Sequence, residues 1–259
     1  YKETINSGSK AAARGGFTTV IAMPNLNPVP DNEEKITNQI ARNKQNGVIH
    51  IEQYGAISNN LTSTQVTNIK GMSAAGAKAF TNDGKGVQTA NTMLEAMVAA
   101  ASVNKPLAAH LEDDTLVHDG VMNEGKASTK LELPGITGLA ESSQLARDLV
   151  LAKAAGVHYH VAHISTKESV ELVRIAKHEG VHVTAEVSPH HLLLSEEDIN
   201  SDNAMFKMNP PLRTQRDREA VIAGLLDGTI DMVATDHAPH GKEEKQKSFR
   251  EAPFGITGI

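Results

Sequence analysis

Asp236, His237 and His240 fall within five positions at the polar end of the stretch DMVATDHAPHG, residues 231–241. The apolar run Met232, Val233 and Ala234 ahead of them has the composition of a strand, so the segment reads as a strand delivering reactive groups at its end. A carboxylate and imidazoles released together suit metal ligation and proton transfer. The plain alternative is a strand entering a polar loop that happens to hold two histidines, and a short motif alone does not separate the two.

The rest of the chain supplies the context. Residues 2–16 read as a helix stopped by Gly15-Gly16, followed by a β-branched strand at 17–21 and then Met23-Pro24-Asn25. This unit of helix, stop, strand and polar loop recurs. Helices are expected at 31–46 (Asp31 and Glu34 spaced as a capping box), 64–75, 89–104, 140–155, from a cap at Ser165 and Glu168 to Gly180, and at 214–226. Strands are expected at 48–58, in AKAFTNDG ending at Asp83, in KPLAAHLEDD ending at His110 and Glu112, in VHYHVAHIS, in HVTAEVSPHH, and in the run ending TDHAPH. Residues 111–137 read as a long irregular connection of functional type. Residues 241–252, highly charged, read as a solvated linker.

Strict alternation of helix and strand argues for a parallel sheet, because parallel neighbours need a crossover and the helix supplies it. The seven strands read here, with one more expected upstream, make an α/β fold: a (β/α)8 TIM barrel, incomplete in this chain, with residues 1–259 as one partial catalytic domain. Both ends of the chain are expected to be cut points in a longer protein. No G-x-G-x-x-G turn marks the competing open, doubly wound sheet.

In such a barrel the chemistry sits at the carboxyl ends of the strands. The last polar residues there are Asn25, Asp83, His110, His163, His190 or His191, and Asp236. Two imidazoles and two carboxylates, His110, His163, Asp83 and Asp236, form a borderline to hard ligand set suited to Zn²⁺ or another divalent ion. Any one histidine is more simply a core residue bonded to a carbonyl, but four such residues at four strand ends point to a common metal site. His158 and His160 share one strand face and His163 falls on the other by alternation. His190 and His191 point oppositely and read as supporting or structural residues. Lys78 is out of phase with Asp83 and reads as facing away from the site.

Such a site suits metal-assisted hydrolysis. Asp236 is the expected ligand and proton carrier, with Asn25, Asn209 and His240 orienting a polar, anionic substrate. Composition removes other classes. There is no cysteine, so disulfides and thiolate zinc sites are excluded. The net charge of −6 carries no basic block and aromatics are 3%, which argues against a nucleic-acid surface. No apolar run has membrane-span length and the first residues lack a signal-peptide core, so no membrane partner and a cytoplasmic location are expected.

The blocks AARGGFTTVIAMPN, AFTNDGKGVQ, AAHLEDD, HYHVAHISTKESV, VTAEVSPHHLLL, KMNPPLR, GTIDMVATDHAPH and APFGITG, in this order along the chain, resemble bacterial type I dihydroorotases of the amidohydrolase superfamily. The resemblance implies a zinc enzyme, with one or two Zn²⁺ ions, that interconverts N-carbamoyl-L-aspartate and (S)-dihydroorotate in pyrimidine biosynthesis. It implies a homodimer and association with aspartate transcarbamoylase. By motif, Asp83, His110, His163 and Asp236 are metal ligands and Asp236 is also the general base. Asn25, Asn209, His240, Phe254 and Gly255 hold the substrate. The family's first-strand His-x-His pair and the arginine after it lie upstream of Tyr1, so the 259 residues alone are expected to bind metal weakly and turn over little. Allantoinase- or hydantoinase-like enzymes are the near rivals, but they use a carboxylated lysine where this chain has the Asp83 block. An inactive scaffold subunit for aspartate transcarbamoylase is the rival of another class, and the retained ligands speak against it.

Overall fold

Seven parallel strands stand side by side in the order β1-β2-β3-β4-β7-β8-β9, and two very short ones pair apart from them. In chain order they are β1 (Thr19–Ala22), β2 (His50–Ala56), β3 (Ala79–Thr81), β4 (Leu107–Ala109), β5 (Met122–Asn123), β6 (Gly135–Ile136), β7 (Tyr159–Val161), β8 (Val183–Val187) and β9 (Met232–Val233). The structure, a computed structural model, describes residues 2–259. The helices are α1 (Ile5–Arg14), α2 (Glu33–Asn46), α3 (Ile69–Ala74), α4 (Ala90–Ser102), α5 (Asp114–Val117), α6 (Lys126–Leu131), α7 (Leu139–Ala155), α8 (Lys167–His178), α9 (Pro189–Leu193), α10 (Gln215–Leu226) and α11 (Lys242–Lys245).

The register explains how the sheet divides its two faces. Phe80 pairs with Leu107, Leu107 with Tyr159 and Tyr159 with Val183, so one row of large apolar side chains crosses four strands. All four are buried with Met72, Met97, Leu145 and Val173 from the covering helices. Each such side chain contributes roughly 1.5–3 kcal/mol on leaving water. The next row, Ala108, His160 and Thr184, lies on the opposite face because side chains alternate along a strand. That inner face holds a polar chain: His160 bonds Thr184 Oγ1 through Nδ1 (2.8 Å) and Glu186 through Nε2 (3.0 Å).

The strands are shorter than the sequence suggests, and some ends are built differently. The N-cap of α2 is Asn32, whose side chain accepts from the Lys35 N–H, and not Asp31. Asp31 instead pairs with Lys35 Nζ at 2.6 Å and accepts the Asn60 N–H. The N-cap of α8 is Thr166, accepting from Ser169 N–H, and not Ser165. The helix expected from residue 64 begins at Ile69 behind an Asn68 cap. α7 does end at Gly156, whose φ of +66° is a left-handed conformation that glycine adopts without a Cβ clash.

Residues 111–137 are not irregular. They contain α5, β5, α6 and β6, with Met122 facing Gly135 and Asn123 facing Ile136 in parallel register. A second apolar cluster of Val121, Met122, Ala127, Ile199, Met208, Leu212 and Phe249 anchors this excursion to later loops. Residues 241–252 are likewise no solvated linker: α11 starts there, and Lys245 and Phe249 are buried.

Candidate metal centre

The four sequence-predicted ligands each follow a strand by one to three residues, which puts them on the same rim. Asp83 lies two residues beyond β3. Its neighbour Asn82 fixes that turn, accepting the Ile57 and Ser58 N–H groups (2.9 and 3.1 Å) and donating to Ser58 Oγ and the Leu61 carbonyl. His110 directly follows β4. His163 and Asp236 follow β7 and β9, and both have positive φ, +34° and +45°. Such backbone is costly for residues with a Cβ and concentrates at functional sites. At His163 it also breaks the alternation of the strand, so this side chain joins the site although His160 already occupies the inner face.

Asp83, His110 and His163 converge, with one ligand atom from each lying within 4.8 Å of the others. His110 Nδ1 is 3.0 Å from His163 Nε2, and Asp83 Oδ1 is 3.5 Å from His163 Nε2 and 4.0 Å from His110 Nδ1. All three are buried. Asp83 Oδ1 and His163 Nδ1 are among the buried side-chain atoms that have no hydrogen-bond partner. A buried orphan acceptor facing two imidazole nitrogens fits a cation, since buried polar atoms are otherwise nearly always paired. Asp236 lines the same cavity but stands outside this tight group of three.

The charges of the cluster act on one another. Burial pushes Asp83 up, but the His163 and His110 imidazoles outweigh it and leave the carboxyl below its usual range. Burial pushes His163 down, and the Asp83, Asp236 and Glu186 charges overcome that and raise it to about 9. Asp236 is raised, chiefly by burial and further by the Asp83 charge, against the pull of His163.

The cavity above this cluster has a volume of about 750 Å³. Asn25, Asn209, Phe254 and Gly255 all line it. Asn25 Nδ2 donates to Asp83 Oδ2 at 3.4 Å. His240 is not among the lining residues; its Nε2 donates to the Phe254 carbonyl at 2.6 Å and Lys2 bonds its Nδ1. His237 bonds Glu3 and accepts the Gly258 N–H, a structural arrangement. His190 and His191 lie in α9, where His191 spans from Ser188 Oγ (2.5 Å) to the Pro210 carbonyl (3.1 Å) and so braces the segment carrying Asn209. Lys78 is exposed and pairs with Glu52 at 3.6 Å, as its phase implied.

Three residues were missed in the sequence. Glu112 accepts from Asn209 Nδ2 at 2.5 Å and stands 3.9 Å from His110 Nε2, so it joins a cluster histidine to an amide on the cavity wall. Its spacing of two from His110, on the same strand side, was the available signal. Glu141, buried in α7, accepts the Ser165 and Thr166 N–H groups and both hydroxyls, fixing the turn after His163. Arg213, the last residue of KMNPPLR, donates to Ser165 Oγ, Asn123 Oδ1 and the Ile136 carbonyl, tying that turn to the β5-β6 pair. Neither of these two had a signal, since their partners are distant in sequence.

Comparison with known proteins gives a consistent picture. A family model described as dihydro-orotase-like matches residues 1–169. A dihydroorotase of Enterococcus faecalis is 61% identical over 258 residues, and one of Lactobacillus leichmannii is 59% identical over the same length. Both matches cover 100% of this chain, and the chain spans 60% of the length of these curated relatives. Among solved structures, the L-hydantoinase of Arthrobacter aurescens superposes with a TM-score of 0.82 at 24% identity, covering 98% of this chain and 58% of that one. A D-hydantoinase from a Thermus species does so at 0.77 and 24% identity, covering 99% of this chain and 58% of its own. The likeness shows the fold: a curled sheet with seven strands of a (β/α)8 barrel.

Proposed function

Because this chain belongs to the dihydro-orotase-like family, we propose that it forms the catalytic barrel of a zinc-dependent dihydroorotase. The observation that carries this reading is the buried Asp83, His110 and His163 cluster, with Asp236 on the wall of the same cavity. Residues 1–259 act as one partial barrel domain. The reaction is the reversible hydrolysis of (S)-dihydroorotate to N-carbamoyl-L-aspartate.

Asp83, His110 and His163, with Asp236 beside them, are the residues that would hold the metal. Bound there, a divalent ion supplies Lewis acidity, making water acidic enough to ionise near neutrality and polarising the scissile carbonyl. The remaining work falls to the protein. Asp236 takes a proton from water as a C–O bond forms at the ring carbonyl, and returns it to the ring nitrogen as the amide C–N bond breaks. Water is thereby added across that bond with no net change in protons held by the enzyme. Burial supports this role, because it raises the carboxyl and so makes it a better proton acceptor. Asn25, Asn209, Phe254 and Gly255 orient the substrate from the cavity wall, and His240 contributes through the Phe254 carbonyl it holds.

The resemblance also supports a homodimer, association with aspartate transcarbamoylase and a cytoplasmic location. No helix among the described residues is long and apolar enough to cross a membrane.

The test is cyclisation of N-carbamoyl-L-aspartate by the full-length protein, with and without a chelator, repeated with Asp236→Ala. Activity lost to the chelator, restored by Zn²⁺ and absent in the variant is the expected result. Turnover that survives both treatments overturns the reading.

A further inference from the structure

Behind the part of the cavity wall formed by Lys207, Phe254 and Gly255 sits a buried cation whose polar partners are all backbone. Lys245 closes the short helix α11, and its ammonium donates to the carbonyls of Lys207 (2.9 Å), Pro253 (3.2 Å) and Gly255 (2.8 Å). An ammonium has three N–H donors, and here each meets one carbonyl. The Lys207 carbonyl also accepts the Gly255 N–H at 3.0 Å, so the 207 and 253–255 segments are bonded to each other and to one ammonium. The Phe254 carbonyl between them is taken by His240 Nε2. Neither Lys245 nor His240 lines the cavity, whereas Lys207, Phe254 and Gly255 do. Three successive carbonyls are therefore engaged on the side away from the ligand space.

Lys207 extends the clasp. Its ammonium donates to the Phe249 carbonyl and stands 4.4 Å from the Phe254 ring centroid, a cation–π distance. Burying a cation against carbonyls alone is costly, and natural chains retain such groups where they fix a geometry. Burial, and after it the neighbouring Lys207 charge, brings Lys245 down to about 8.

We propose that Lys245 is a positioning residue for substrate: from behind the cavity lining it clamps the Phe254–Gly255 segment against Lys207 and so fixes the wall that these residues form. The proposal rests on the dihydroorotate reading, in which Phe254 and Gly255 hold the substrate.

The experiment compares the metal-loaded full-length protein with Lys245→Met, Lys245→Arg and Lys207→Met. Hydrogen exchange over residues 249–258 and steady-state kinetics on dihydroorotate are read together, with melting and metal content as controls. Lys245→Met is expected to speed exchange in 249–258 and to raise KM, each by about 10-fold or more, while kcat stays within about 3-fold, the pattern of lost ground-state binding. Lys245→Arg, which keeps the charge but presents a flat fork, should fall between, and it serves as the test if the Met variant does not fold. Unchanged exchange and KM, or a fall in kcat and metal content with KM unchanged, overturns the proposal. If the wild-type protein does not act on dihydroorotate, the functional reading fails separately, and exchange alone decides: local acceleration upholds the clamp, and wild-type rates refute it.

Discussion

His110 Nδ1 and His163 Nε2 stand 3.0 Å apart across the rim of the barrel, although 53 residues separate them in the chain. At that distance one nitrogen carries a proton toward the other, and the Asp83 carboxylate beside them favours a charged imidazole.

A cation entering this cluster must displace that proton, because imidazole binds metals as the neutral base. With His163 raised to about 9, it is protonated at pH 7.5 in the metal-free protein. Zinc binding is therefore expected to release about one proton per site from this histidine. Calorimetric titrations in buffers of different ionisation enthalpy measure the number directly. In His163→Asn the release should vanish along with most of the affinity. Zinc uptake with no buffer dependence would show that the site is not proton-filled.

Glu112 is expected to matter although it is not a ligand in this reading. Its carboxylate is positioned by Asn209 at 2.5 Å and lies 3.9 Å from the outward nitrogen of His110. Carboxylates behind a ligating histidine fix its ring and raise its basicity, and losing one lowers metal affinity or activity by about 10–100-fold. Glu112→Gln should show such a loss in zinc affinity and in kcat/KM, with Asp83→Asn much more severe. Wild-type zinc affinity and kcat/KM in Glu112→Gln would sink the assignment.

Much of this cluster's placement was legible in the sequence because each candidate residue sits just beyond an apolar strand that a helix precedes. The alternation gave the parallel sheet, and strand ends gave Asp83, His110, His163 and Asp236. The facing of His163 was not legible, since its φ of +34° breaks the two-residue period on which such reasoning depends. Lys245 was hidden for another reason. Its segment GKEEKQKSFREA is rich in charge, the signature of solvent, and only the three carbonyls gathered around it make a buried ammonium tolerable. Asp31 and Ser165 were misassigned as helix caps because Asn32 and Thr166, one position later, are equally good acceptors.

Glu141 joins α7 to the turn after His163. It accepts four hydrogen bonds from Ser165 and Thr166 and is linked through Ser165 Oγ to the buried Arg213 guanidinium. Glu141→Gln keeps the shape but replaces one acceptor oxygen by a donor facing other donors. It also removes the carboxylate charge that most favours the buried Arg213 guanidinium. A loss of about 2–4 kcal/mol in urea unfolding of the metal-free protein is expected. Weaker zinc binding should accompany it, as the His163 turn loosens. Unfolding at the wild-type midpoint would mean the carboxylate does not hold that turn.

Acid stability follows from the two histidines of α9. Burial first, then the His163 and Arg213 charges, hold His191 at about 3, while burial and the His191 and His163 charges hold His190 at about 2. Both lie below the ordinary histidine value of about 6.5, which the unfolded chain retains. Between those limits the unfolded chain binds protons that the native state refuses, so the slope of stability against pH is positive. The contribution is intact above pH 6.5 and is lost as pH falls toward 3, at about 1.4 kcal/mol per pH unit for each histidine that stays neutral. Urea midpoints of the metal-free protein should therefore fall from pH 6 to pH 5, below the range in which His163, raised to about 9, contributes with the opposite sign. In His191→Gln, whose amide can still bridge Ser188 Oγ and the Pro210 carbonyl, the slope should drop by about one proton, or about 1.4 kcal/mol per unit. A variant slope equal to that of the wild type would mean that His191 titrates normally in the folded protein.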